Sequence, residues 1–496
     1  MSTDSNGAPA PKTYRSPFEN WISLSGMIVA AGSFFAFVFL FAIQALTGDR
    51  NQYLGILTFV VAPLFLITGL LGILIGWLIH RRRLARTDPD APRALLTVDL
   101  SRPRDRRNFA LFLSGAFLFL LLTAFGSYET FHYSESVEFC GTLCHTVMEP
   151  EYATYQRGEH ARVACVQCHV GGGAGYYLKS KINGAYQLYS LAFDKYNRPI
   201  PTPIHGLRPA QDTCEKCHWP ERFTGSLERR YEHLLSDKDN TPYAIRLLLD
   251  VGGANASHGP IGGIHWHMSK EHKVEYYADD PQRQNILWVR TSLPDGTGRT
   301  YRKGDFKDDP PTAQIRTMDC VDCHTRPAHN FRAPNDALER AIKAAALDLA
   351  ALPLFKRHAV DALTAEYATV AEAETKIAAA LREKYPAAKT DAAIALVQTV
   401  YRENFFPLMK TSWKAYPDNI GHKNWPGCFR CHNDELLAGA AKPRITQNDC
   451  NSCHVILAQG RGAQLHQLAP DGYEFAHPDG EVSGMYCSDC HNGANQ

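Results

Sequence analysis

The chain has 496 residues, room for about two to four domains, and its 52 basic residues against 51 acidic ones leave a formal net charge of +1. That balance gives no pointer to a strongly charged partner, and no nucleic acid is expected. The 14 cysteines say more, because every one belongs to a close pair followed at once by histidine.

In chain order, residues 1–20 are polar, with Lys12 and Arg15, and read as a cytoplasmic N-terminus. Three spans are predicted over about 21–46, 53–79 and 109–125, since crossing a bilayer core takes about 20 apolar residues. The first is too long for a signal-peptide core, and no small-residue cleavage site follows it. Between the second and third spans, the loop 80–108 holds nine arginines, from Arg81 to Arg107, whereas the loop before it has one. The positive-inside rule puts the arginine-rich loop in the cytoplasm and everything after Phe125 on the far side.

Seven pairs follow: Cys140 and Cys144 with His145, Cys165 and Cys168 with His169, Cys214 and Cys217 with His218, Cys320 and Cys323 with His324, Cys428 and Cys431 with His432, Cys450 and Cys453 with His454, and Cys487 and Cys490 with His491. Zinc ribbons use such pairs two by two, and disulfides also pair cysteines, but neither requires a histidine after every pair. Covalent haem does: each thiol adds to a vinyl group, and the adjacent imidazole reaches the iron. The expected cofactors are therefore seven haem c groups. They are attached on the periplasmic side, the same side that the arginines predict.

The fold class expected is a mainly α membrane protein, with three transmembrane helices followed by a periplasmic multihaem region of little regular structure, a small β insertion and a helical segment. Four motifs fall in 126–221 and 317–332, and the last three in a C-terminal region, 407–496. The insertion, 222–316, carries no motif; Pro294-Asp-Gly296 between β-prone runs predicts a hairpin. In the helical segment 333–406, Asp336 and Glu339 have capping-box spacing, and Leu338, Ile342, Ala345 and Leu349 recur at helical intervals up to Pro353. Two more helices are expected over 371–385 and 391–405.

Each iron needs a second ligand or an open face. His160, His329, His422 and His477 lie five to ten residues from a motif, close enough to serve its haem or a neighbour's. His265 and His267 alternate as on a strand and would face one side; in a loop they could diverge to two irons. Each of these could instead be a solvated or hydrogen-bonded histidine.

By this point the residues resemble a known family. Ser134-Glu-Ser-Val-Glu-Phe-Cys140 with Met148, His160-Ala-Arg-Val-Ala-Cys165, Leu207-Arg-Pro-Ala before Cys214, and Cys323-His324-Thr-Arg-Pro-Ala-His329 are similar to the four haem sites of NapC/NirT membrane-anchored quinol dehydrogenases. The resemblance implies that menaquinol or ubiquinol is oxidised at the membrane and that electrons pass to soluble periplasmic c-type cytochromes or other redox proteins. It makes Met148 or His145 the ligand of the first iron, and His160 and His329 distal ligands. Here three residues instead of two separate the first cysteines, and Met148 sits one position later than in the family. With its extra spans, insertion and trihaem region, the chain resembles the seven-haem inner-membrane cytochromes of metal-reducing bacteria.

A quinol gives up two electrons and two protons, so its site needs a haem edge and a proton acceptor. The family places a lysine and an acid there. Lys179 and Lys181 match in position, or else form a lysine pair at the phospholipid surface. Gln187 stands where the acid is expected, which leaves Glu135, Glu138 and His132 as substitutes. Two other readings remain: a conducting subunit of a larger respiratory complex, and a terminal reductase of a small oxyanion at an open haem.

Overall fold

The computed structural model describes residues 20–47, 57–87, 100–143, 145–171, 174–202, 209–252, 263–269, 271–385, 387–439, 445–446, 449–480, 482 and 485–494. Its contacts group the chain into two units, Met1–Phe139 and Cys140–Gln496.

The first unit holds three helices able to cross a membrane: α1 (Trp21–Thr47), α2 (Ala62–Thr87) after a π turn at Leu57–Val61, and α3 (Pro103–Ser134). α3 outruns the predicted 109–125 at both ends. Hydropathy marks the stretch that crosses lipid, whereas Pro103 at the first position starts the helix earlier and Glu135 N–H, donating to His132 O (3.2 Å), ends it later.

α1 and α2 approach closely through glycine. A Cβ at Gly26 would come within 2.6 Å of the Ile73 nitrogen, and one at Gly69 within 2.5 Å of the Ala30 nitrogen, so larger side chains would force the helices apart. Polar groups tie the same crossing: Asn20 Nδ2 donates to Ser23 Oγ (2.9 Å) and Gly76 O (3.3 Å). On the outside, Phe35, Leu64 and Phe117 are exposed, as side chains meeting lipid would be.

The second unit combines helices and two antiparallel sheets. Helices α4 (His145–Gln156) and α5 (Ala174–Ala192) occupy a stretch whose sequence shows little periodicity. The reason is visible in α5, where Leu178, Ile182, Tyr186 and Tyr189 are exposed, so no polar face contrasts with a buried one.

One sheet has the order β1 (Leu227–Leu234), β2 (Pro242–Leu249), β8 (His454–Gly460). The other runs β6 (Arg316–Thr317), β3 (Lys273–Ala278), β4 (Ile286–Ser292), β5 (Gly298–Lys303), β7 (Leu436–Leu437). The predicted hairpin joins β4 to β5. Leu293 N–H donates to Thr297 O (2.7 Å) and Asp295 Oδ1 accepts from Thr297 N–H (2.8 Å), while Gly296 takes the left-handed conformation (φ 80°) that favours glycine. The insertion is not closed on itself: β8 completes the first sheet, with Leu249 opposite His454, and β7 extends the second, with Lys303 opposite Leu436.

Four helices follow: α6 (Pro334–Ala345), α7 (Phe355–Thr364), α8 (Val370–Lys384) and α9 (Ala387–Asn404). Their apolar stripes meet in a core that includes the fully buried Leu338, Phe355, Leu363, Ile377, Leu381 and Val397. Ile377→Val removes one buried methylene and is expected to cost about 1 kcal/mol, read as a lowered thermal midpoint in far-UV circular dichroism of the full chain.

Two expectations for this segment are corrected. α6 is not started by an Asp336–Glu339 capping box: Ala333 precedes Pro334 at the first helical position, and Glu339 turns inward to stronger, charge-assisted partners. Leu349 lies beyond the helix, which stops at the left-handed Ala346 (φ 47°).

Candidate functional site

Five motif histidines each face a histidine from outside the motifs. Ring centroids are 6.2 Å apart for His169 and His329, 6.1 Å for His218 and His160, 5.8 Å for His432 and His267, 6.2 Å for His454 and His422, and 5.9 Å for His491 and His477. With a metal–nitrogen bond of roughly 2 Å and a ring centre about 1 Å behind the nitrogen, two imidazoles on opposite sides of one ion have centroids about 6 Å apart. A sixth motif histidine, His324, lies within electrostatic reach of His265 and of His218.

The backbone sets the ring orientations. Nδ1–H donates to Pro327 O at His160 (3.2 Å), to Val251 O at His265 (2.5 Å), to Ile264 O at His267 (2.8 Å), to Glu151 O at His329 (2.8 Å) and to Ile445 O at His432 (3.1 Å). With Nδ1 carrying the proton, Nε2 keeps its lone pair for a metal, and the carbonyl fixes the ring. Nδ1 of His422, His454 and His491 is buried with no protein partner among the described residues. Burial pushes His169, His324, His329, His422, His432, His454 and His491 below the ordinary imidazole value, and holds His267 at about 4. All therefore favour the neutral, ligating form.

His265 and His267 do not lie on a strand. They sit in one 3-10 turn, Ile264–Met268, with Trp266 between them. His267 faces His432, while His265 packs on Phe223 (4.5 Å) near His324. His272 is occupied otherwise: its Nε2 bonds Trp266 O and its ring stacks on Trp266 at 3.8 Å.

The cysteines lie beside one another from motif to motif. Burial raises Cys168, with Cys217 adding to the effect; a hydrogen bond from the Cys214 thiol to Cys320 raises Cys214 and lowers Cys320. Burial pushes Cys323 up to about 12 and Cys431 to about 11, with Cys428 contributing to both, and raises Cys453, which also feels Cys428. The second to sixth motifs thus form one row. None of the twelve cysteines whose side chains are described is in a disulfide. Cys144 and the side chains of His145 and Cys450 fall outside the described residues. Paired cysteines, five pairs of which are followed by a motif histidine facing a second histidine, fit covalent haem.

The remaining candidates fall into their own units. His132, at the end of α3, has its ring against Tyr128 (4.4 Å), and Glu135 follows as the helix cap. Glu138 is exposed, and Met148, on α4, is half-buried. Lys179 and Lys181 are exposed on α5, and the Lys181 ammonium sits over the Tyr177 ring at 4.9 Å. Sequence reasoning did not single out Glu151, which carries His329 through its carbonyl and pairs with Arg326 through its carboxylate. Its only sequence signal is closeness to the first motif.

Comparison with known proteins agrees with this chemistry. Residues 102–200 match the N-terminal region of the NapC/NirT cytochrome c family. Over 498 aligned residues the chain is 39% identical to the cytochrome c-type protein ImcH of Geobacter sulfurreducens, covering 96% of this chain and 95% of that protein. Over 78 residues it is 33% identical to the cytochrome c-type protein NrfH of Wolinella succinogenes, covering 15% of this chain and 44% of that protein. No solved structure matches the chain. With its membrane helices, its soluble haem-bearing region and its histidine pairs, the chain belongs to the NapC/NirT family of inner-membrane c-type cytochromes that transfer electrons.

Proposed function

We propose that the chain oxidises menaquinol or ubiquinol at the periplasmic face of the inner membrane and passes the electrons through seven haems to periplasmic redox proteins. The observation that carries the haem chain is the set of five histidine pairs with centroids 5.8–6.2 Å apart. When bound, each haem supplies an iron that takes up and releases one electron at a time.

The motif cysteines hold the porphyrins and the motif histidines are the proximal ligands. His329 serves the second iron, His160 the third, His265 the fourth, His267 the fifth, His422 the sixth and His477 the seventh. His145 or Met148 completes the first, whose motif begins at Cys140, a few residues after α3 ends at Ser134. The quinol site belongs at this membrane-proximal motif. Lys179 and Lys181, with His132, Glu135 or Glu138, orient the quinol hydroxyl and accept its proton. Electrons leave from the sixth or seventh haem.

Two measurements test this. Replacing both cysteines of any one motif with serine is expected to lower haem per polypeptide by about one seventh, as the pyridine haemochrome reads it; a loss matching six or eight sites contradicts the count. A detergent preparation with all haems present should be reduced by quinol analogues, and failure to do so removes the quinol reading.

A further inference from the structure

Where the fourth motif meets the fifth, one residue gathers contacts from three parts of the chain. Asp322 lies between Cys320 and Cys323 and is 3% exposed. Its Oδ1 accepts from Tyr276 OH (2.6 Å), Arg283 Nη1 (2.9 Å) and Arg316 Nε (2.8 Å), and its Oδ2 accepts from Asp319 N–H (2.8 Å). Its backbone oxygen accepts from Arg430 Nη2 (2.8 Å) and Asn419 Nδ2 (3.2 Å). Arg430 stands between Cys428 and Cys431, and its other nitrogen, Nη1, donates to Arg283 O (2.9 Å).

A buried carboxylate holding two guanidinium groups and a phenol makes strong, directional bonds, and its loss leaves charges unpaired in the interior. The site therefore joins β3 and the loop after it to the fourth motif through the carboxylate. It joins the fifth motif to both through Arg430. The 3-10 turn just before β3 carries His267, which faces the fifth motif histidine, and His265, which lies within electrostatic reach of the fourth.

We propose that Asp322, with Arg430, is a positioning residue that locks the spacing and angle between the fourth and fifth haem sites, and that electron flow from the membrane-side haems to the C-terminal three depends on this joint. The proposal rests on the seven-haem reading above. A carboxylate that merely stabilised its own motif would leave the rate of crossing unchanged once the protein was folded and loaded.

The test uses the full chain in detergent, with haem content confirmed, as wild type and as Asp322→Asn and Arg430→Lys. The second variant keeps the charge but loses the two-pronged contact. Reduction by a quinol analogue is expected to split in the variants: about four sevenths of the absorbance fills at the wild-type rate, and the rest at least about 10-fold more slowly, as losses of outer-shell partners tend to act. Hydrogen exchange should rise together in 276–283, 319–324 and 427–432. One-phase filling at the wild-type rate, or exchange rising in one of those segments alone, overturns the joint. If the wild type is not reduced by quinol, the quinol reading fails, and the exchange pattern still decides the joint.

Discussion

His267→Ala is expected to open one iron to high-spin coordination and to cut electron output by about 10–100-fold, the range seen even for outer-shell changes at metal sites. The ring faces His432 at 5.8 Å and is held by Nδ1–H donating to Ile264 O. No described imidazole can replace it. His265 is turned to Val251 O, and His272 is bonded to Trp266 O. Electron paramagnetic resonance should show a new high-spin signal in His267→Ala and none in His272→Ala, although the two residues lie in the same neighbourhood. A wholly low-spin spectrum with full activity in His267→Ala would show that His432 has another partner. Because this pair lies between the first four motifs and the last two, the membrane-side haems should still be reduced while the partner is not.

Glu339→Gln should destabilise the second unit by about 3–5 kcal/mol, the cost of leaving one half of a buried ion pair behind. Lys356 is 1% exposed, and its ammonium lies 2.7 Å from Glu339 Oε1, while His233 Nδ1 lies 3.0 Å from Oε2. Burial alone would raise the Glu339 carboxyl, but the His233 hydrogen bond and the Lys356 charge outweigh it and hold the group at about 2. An unfolded glutamate titrates at about 4.3. Its stabilisation is therefore complete above that value and is lost as pH falls through 2, a contribution of about 3 kcal/mol. Burial also pushes Lys356 below its ordinary value despite the carboxylate beside it, and this offsets part of the gain. Acid unfolding followed by circular dichroism should show the wild type losing stability across this window. Glu339→Gln should be weaker at neutral pH and nearly flat there.

Local signals in the sequence were strong enough to read the spans, the hairpin at Asp295–Gly296 and the apolar stripes of α6, α8 and α9, because each depends on neighbours a few residues apart. α5 was not legible, since its apolar residues are exposed on several sides. Neither was the inward turn of Glu339, whose partners His233 and Lys356 are 106 residues before it and on the next helix. Of the histidines that face motif histidines, His160, His329, His422 and His477 were already set apart by their closeness to a motif, and His267 by its alternation with His265. The partner of each was not: His160 lies beside the second motif yet faces His218, and His329 lies beside the fourth yet faces His169. Such exchange between motifs comes from the way the chain packs them together, and spacing along the chain does not encode it.

The late strands β7 and β8 bear on how the protein matures. β2 and β5 both wait for residues after Leu436 to cover an edge. A chain emerging from the membrane N-terminus first therefore presents two open sheet edges until Leu436–Gly460 has crossed, and open edges invite pairing with other chains. A shortened gene product ending before β7 would not yield a smaller working cytochrome. It would yield an insertion with unpaired strands, without the sixth and seventh motif histidines that His422 and His477 face.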